Sequence, residues 1–127
     1  MKKNRFTVII NKPINEVFEF TTNPKNTHLW VPFISEEVAD KYPPKINTRY
    51  KSRRKDNNWG ELKVIDFQKN KVFILSDLDD NLFVKYTYRQ LDNNKTEMEY
   101  CDWMIEREFN TPFTEDIFGN LKKLIEG

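Results

Sequence analysis

The side chains with the most chemistry to offer are four phenols and a carboxyl: Tyr50, Tyr86, Tyr88, Tyr100 and Asp102. Each lies in a stretch where residues alternate in the manner of a half-buried strand, on the side opposite the charges. Val84, Tyr86 and Tyr88 oppose Lys85, Thr87 and Arg89, while Thr96, Met98, Tyr100 and Asp102 oppose Lys95, Glu97 and Glu99. Tyr50 and Ser52 likewise oppose Arg49, Lys51 and Arg53. A phenol withdrawn from water needs a hydrogen-bond partner, and a carboxylate needs one more urgently. In a closed core such groups are a liability, whereas around a cavity they are the few polar points that orient a guest. The same residues admit a second chemistry, acid–base catalysis by Asp102 or a tyrosine in a cyclase, dehydratase or hydrolase. A plainer arrangement stays open beside both, with the hydroxyls at a rim and Asp102 paired with an arginine such as Arg54. A β-bulge near Cys101 would turn Asp102 outward and remove the argument.

Other chemistries find less support. His28 is the only histidine, so no multi-histidine metal site can be assembled; beside Trp30 in a short helix it reads as exposed or structural. Cys101 is the only cysteine, which excludes an internal disulfide, and alternation points it away from the Tyr100/Asp102 side. Asp77-Leu-Asp-Asp-Asn81 mimics the start of a calcium loop, but Leu82 replaces the required glycine and Tyr88 the closing glutamate, so it reads as a hairpin turn. Lys51-Ser-Arg-Arg-Lys55 is the densest basic run and reads as a solvated edge rather than a phosphate contact. Three glycines in the whole chain leave no glycine-rich phosphate loop. No metal or cofactor is expected. A net charge of +1 supplies no field to steer nucleic acid, and the apolar run after Lys2-Lys3 stops at Asn11, too short for a signal peptide or a membrane span. A soluble cytoplasmic protein is the expectation.

The elements that must hold these groups can be read in order. A length of 127 residues suits one domain with one core, and an aromatic content of 14% implies a core of few, large side chains. Phe6 to Asn11 predicts a first strand. Pro13 then opens a helix over Ile14–Phe20, Asn23-Pro24 breaks it, and a second short helical piece runs over Pro24–Trp30. Strands follow over Ile34–Lys41, Thr48–Arg54, Trp59–Phe67, Lys71–Ser76, Leu82–Leu91 and Lys95–Phe109. Polar turns separate them, among them Asp56-Asn57-Asn58, Gln68-Lys69-Asn70 and Asp92-Asn93-Asn94. The last stretch, Phe113–Gly127, places Phe113, Ile117, Phe118, Leu121, Leu124 and Ile125 on one helical stripe. Glu115 and Asp116 suit the positive end of its dipole and Lys122 and Lys123 the negative end, with Pro112 in the first turn and Thr111 or Thr114 as cap. So short a helix is marginal in water without a partner surface, and burying its stripe gains roughly 8–18 kcal/mol gross. The strands must therefore form a concave surface to receive it.

Asn11-Lys-Pro-Ile-Asn-Glu-Val-Phe-Glu-Phe20, Asn23-Pro-Lys-Asn-Thr-His-Leu-Trp30 and the closing Asn120-Leu-Lys-Lys-Leu-Ile-Glu126 resemble the START-like polyketide cyclase/dehydrase superfamily (SRPBCC proteins) along the whole chain. The resemblance implies an α+β helix-grip fold: a curved antiparallel sheet of about six or seven strands around a C-terminal helix, with two short helices after the first strand. It implies a single domain over residues 1–127 and an apolar cavity between sheet and helix. The ligand would be a small hydrophobic or amphipathic molecule such as a lipid, sterol, polyketide or quinone. A minority of the family are enzymes and others act on protein partners, so a cyclase, dehydratase or hydrolase and a protein-interaction module with a filled core stand as alternatives. The residues expected at a ligand are Trp30, Tyr50, Tyr86, Tyr88, Tyr100 and Asp102, with Phe113, Ile117, Phe118 and Leu121 from the closing helix. Two departures from the family pattern stand out. The closing helix is short, which predicts a smaller or more open cavity, and Asn47 replaces a glycine, which predicts a gentler bend into the third strand.

Overall fold

The computed structural model describes residues 2–106 and 113–127. Thr111, Pro112 and the end of the strand predicted to Phe109 lie outside them. The elements are β1 (Lys2–Ile10), α1 (Ile14–Thr22), a single 3-10 turn (Pro24–Asn26), α2 (Thr27–Trp30), β2 (Ile34–Ala39), β3 (Arg49–Arg54), β4 (Trp59–Gln68), β5 (Val72–Asp77), β6 (Leu82–Asp92), β7 (Lys95–Met104) and α3 (Glu115–Glu126). Seven strands form one antiparallel sheet in the order β1-β7-β6-β5-β4-β3-β2, so the first strand closes beside the last and the other five follow as a meander. With α3 laid into its concave side, this is the α+β helix-grip fold.

Short polar turns make the meander. Asn57, Asn70 and Asp80 take left-handed φ angles of 70°, 61° and 54°, which asparagine and aspartate tolerate better than other side chains. Asp56 and Asp92 brace their turns by accepting hydrogen bonds from the backbone N–H of Asn58 and Asn94. Asn47 itself adopts a φ of 74°, so it supplies the conformation for which a glycine would be used, and the departure at that position carries no change of backbone.

Curvature comes from irregular register. The ladder slips between Ile34 and Glu36 in β2, between Val64 and Asp66 in β4, and between Gln90 and Asp92 in β6. Each extra residue bends its strand and exchanges the faces of everything beyond it. In β4 the slip keeps Leu62 and Val64 inward and then brings Phe67 to the same face, where it meets Phe18 of α1 at a ring separation of 5.2 Å. In β7 the register against β1 stays unbroken from Thr96 to Met104, so no bulge disturbs the Tyr100–Asp102 alternation.

The two longer helices fill the same side of the sheet. Pro13 stands before α1, whose Val17 and Phe18 are buried, and α1 packs on β6 and β7. Ile117, Phe118 and Leu121 of α3 are buried, with α3 against β1 and α2, and Phe6 stacks on Phe118 at 5.2 Å. The stripe is narrower than its spacing implies: Leu124 is 44% exposed, while Ile125 in the same turn packs against the core. Thr114 occupies the N-cap position without a side-chain cap hydrogen bond. Lys122 instead ties the helix to β1 by donating to the Ile9 carbonyl at 2.7 Å. Among the described residues no helix is long and apolar enough to cross a membrane.

Candidate ligand cavity

Away from the α1 end the inner face of the sheet is not filled. A cavity of about 340 Å³ lies between β2–β7 and the segment from α2 to Phe33, and it reaches the surface at the exposed Gly60. That volume lies at the lower end of the range for small-molecule pockets. Its walls are largely apolar, with Val31 and Ile34 facing Phe73, Leu75 and Val84.

Six of the ten expected residues line it: Trp30, Tyr50, Tyr86, Tyr100, Asp102 and Phe113. Trp30 closes one side, edge-on to both Tyr86 and Phe113 at ring separations of 6.4 and 6.1 Å. Phe113 stacks on Tyr100 at 4.7 Å with the rings 12° apart. The other four are placed elsewhere. Tyr88 lies in the packed floor under α1, its hydroxyl 2.6 Å from Thr21 Oγ1. Ile117, Phe118 and Leu121 sit in the core between α3 and the β1 side of the sheet, because α3 lies along β1 rather than across the middle strands.

Asp102 is the most enclosed of the four carboxyls on the wall, at 2% exposure. The register sets its partners. Asn4 is directly opposite on β1 and donates to Oδ1 at 2.9 Å, while Tyr100, two residues back on the same face, donates to Oδ2 at 2.6 Å. Burial raises the Asp102 carboxyl above its ordinary range, and the hydrogen bonds from Tyr100 and Asn4 pull it partly back. Burial likewise pushes the phenols of Tyr50, Tyr86 and Tyr100 upward, so all three are neutral near pH 7. Tyr50 donates to the Thr22 carbonyl at 2.8 Å. The Tyr86 hydroxyl has no partner among the described residues, and neither does the buried Nε1–H of Trp30.

Another of the four carboxyls, Glu37, was not foreseen. It accepts from Thr27 Oγ1 on one oxygen and from Ser52 Oγ on the other, both at 2.5 Å, and burial raises it against the lowering pull of those two bonds. Strict alternation from Ile34 would turn Glu36 inward. The extra residue Ser35 shifts the pattern, so Glu36 pairs outside with Arg53 and Glu37 lies opposite Ser52. A partial signal did exist, since two consecutive glutamates in a strand must send one of them to the inner face whatever the register. Arg54 also lines the cavity, its guanidinium 4.9 Å over the Phe33 ring, so the basic run is only partly a solvated edge. His28 is exposed and off the wall, and Cys101 is buried on the outer face between the cross-strand neighbours Arg5 and Lys85.

Fold and cavity together define a helix-grip protein with a partly polar hollow under one part of its sheet. No family model and no curated protein sequence matches the chain. Among solved structures the chain is similar to EF2215 of Enterococcus faecalis, a conserved protein of unknown function: TM-score 0.75, 14% identity, 98% of this chain and 71% of that one. It is also similar to the Aha1 dimer of Colwellia psychrerythraea, with a TM-score of 0.71, 12% identity and coverage of 99% and 97%. A third likeness is to DynU16 of the dynemicin biosynthetic locus, with a TM-score of 0.72 and 16% identity; it covers 99% of this chain and 48% of DynU16, about half its length. At such identities the likeness shows the fold alone.

Proposed function

We propose that residues 1–127 form one domain of the START-like polyketide cyclase/dehydrase superfamily that encloses a small hydrophobic or amphipathic ligand. The observation that carries this is the unfilled space of about 340 Å³, walled by aliphatic and aromatic side chains and marked by a few polar groups. A native core is packed to crystal-like density, so a hollow of this size lined by Trp30, Phe73 and Leu75 is a departure that a guest explains. The same hollow argues against an interaction module with a filled core. Native mass spectrometry and a thermal-shift panel of lipids, quinones and polyketides test the reading. A ligand at a hundred times its Kd stabilises the fold by about 2.7 kcal/mol, a Tm rise of roughly 8–15 °C. A panel with neither bound mass nor shift defeats the proposal.

Catalysis is the second reading, favoured by one observation: Asp102 is 2% exposed, raised by burial and held at 2.6 Å by Tyr100 on the cavity wall. A carboxyl kept protonated toward neutral pH can serve as a general acid. Substrate turnover that Asp102→Asn abolishes while ligand binding persists would establish it.

A further inference from the structure

Among the described residues, the charged groups that line the cavity are not balanced. Glu37, Glu61, Asp77 and Asp102 line it against Arg54, in a chain whose net charge is +1. Glu61 is neutralised outside by Arg49 at 2.8 Å, and Asp77 accepts the backbone N–H of Asn81 and Leu82. Glu37 has no such relief. Its partners are two hydroxyls, and no cation of the described residues pairs with it.

A carboxylate is costly to withdraw from water, and hydroxyl donors offset only part of that cost. The two hydroxyls do a second thing. One comes from α2 and one from β3, so they hold both oxygens of Glu37 from opposite sides and leave it little freedom to swing out to solvent. Tyr50, Phe73, Tyr86 and Trp30 line the same cavity, and aromatic rings attract cations. The unpartnered Tyr86 hydroxyl adds one group that can accept a further hydrogen bond.

Resting on the reading of this space as a ligand site, we infer that its guest is an organic amine: an ammonium or amidinium group seated against Glu37, carried on an apolar or aromatic body that fills the space beneath Trp30. The charge of the guest supplies what the fold withholds from Glu37. Its body must be compact, since the space is about 340 Å³. Among the described lining residues, the exposed Gly60 meets solvent, with Glu61 beside it. A neutral lipid would leave the half-buried carboxylate with hydroxyl partners alone, and a fatty acid would set like charges together.

Isothermal titration calorimetry of the full chain with 1-naphthylmethylamine, 1-acetylnaphthalene and 1-naphthylacetate tests the inference, because the three share one body and differ in the head. At pH 7.5 the amine is expected to bind at least about tenfold more tightly than either counterpart, and Glu37→Gln to remove that preference while leaving the ketone within about threefold. The wild-type amine affinity falls as pH drops into the raised range of Glu37, because protonation removes the charge that the ammonium meets; the ketone's does not. Asp102 is raised as well and shares the wall, so the profile is repeated in Asp102→Asn, where the fall must persist. The remaining wall groups are Tyr50, Tyr86 and Tyr100, neutral throughout, and Glu61, Asp77 and Arg54. Preference for the ketone or the anion, or a flat amine profile, overturns the inference and leaves the ligand site standing. Equal weakening of all three probes in Glu37→Gln shows a structural strut and overturns it too. No binding of any probe removes both the inference and the proposed function. Should Glu37→Gln fail to fold, the wild-type pH profile alone decides.

Discussion

The two ends of the concave face have the same composition and opposite packing. Toward β1, Phe6, Tyr100 and Phe118 lie within 6.4 Å of one another ring to ring, and Leu121 and Ile10 are wholly buried among them. Toward β3–β5, residues of the same kinds, Tyr50, Phe73 and Leu75, face open space. Hydrophobicity does not separate them; reach does. The twelve residues of α3 run roughly 18 Å at 1.5 Å each, and they lie along β1. Across from the middle strands, among the described residues, stand the single turn of α2 and the segment leading to Phe33, with Thr21 and Phe113 at the margins; they hold Trp30 and Val31 over the gap without filling it.

A matched pair of truncations tests that contrast most strongly. Leu121→Ala is expected to cost about 4–5 kcal/mol by urea unfolding, since it loses transfer free energy and opens a new void. Leu75→Ala is expected near about 2 kcal/mol, because it enlarges a space that already exists. Equal costs would mean that the hollow closes in solution. A second pair concerns phenols. Tyr88→Phe loses the contact with Thr21 and is expected to cost about 1 kcal/mol, whereas Tyr86→Phe, which loses no protein partner, is expected to leave the unliganded stability unchanged.

Glu37→Gln carries a smaller effect of opposite sign. The carboxyl is raised in the folded state, so folding binds its proton more tightly, and the stability of the wild type falls as pH rises from the ordinary carboxylate range through that raised value. The variant removes this loss: its Tm should exceed that of the wild type by a few degrees at pH 7, and the two should converge at pH 4. Calorimetric scans at the two pH values read the difference, and a variant melting lower at pH 7 would make the hydroxyl clamp a structural bond. Least of all, Gly60→Leu is expected to change stability by less than about 0.5 kcal/mol, because an added Cβ meets nothing within 4 Å and φ is not positive there. It should slow guest entry in stopped-flow traces without altering either end of the core.

The strands, turns and amphipathic last helix were legible because each is a local pattern: β6 alternates over its inward Val84, Tyr86 and Tyr88, and the Asn and Asp turns fall where expected. Asp102 was readable for the same reason, since β7 runs without a bulge. Glu37 was not. Its facing depends on the slip at Ser35, which is decided by how β2 pairs with β3 rather than by the residues of β2 themselves. The division among the expected site residues has a similar cause. Tyr86 and Tyr88 share a face and a spacing, yet one meets α1 and the other meets space.

By itself the sequence determined the kinds of element, their order and which side of most strands turns inward, because periodicity of side chains is a property of a short segment. Where α3 lies across the sheet, which register slips flip a glutamate into the interior, and how much space is left beneath Trp30 were decided only in the tertiary structure. Those are relations between segments far apart in the chain, set by the lengths and curvature of elements that no single stretch contains.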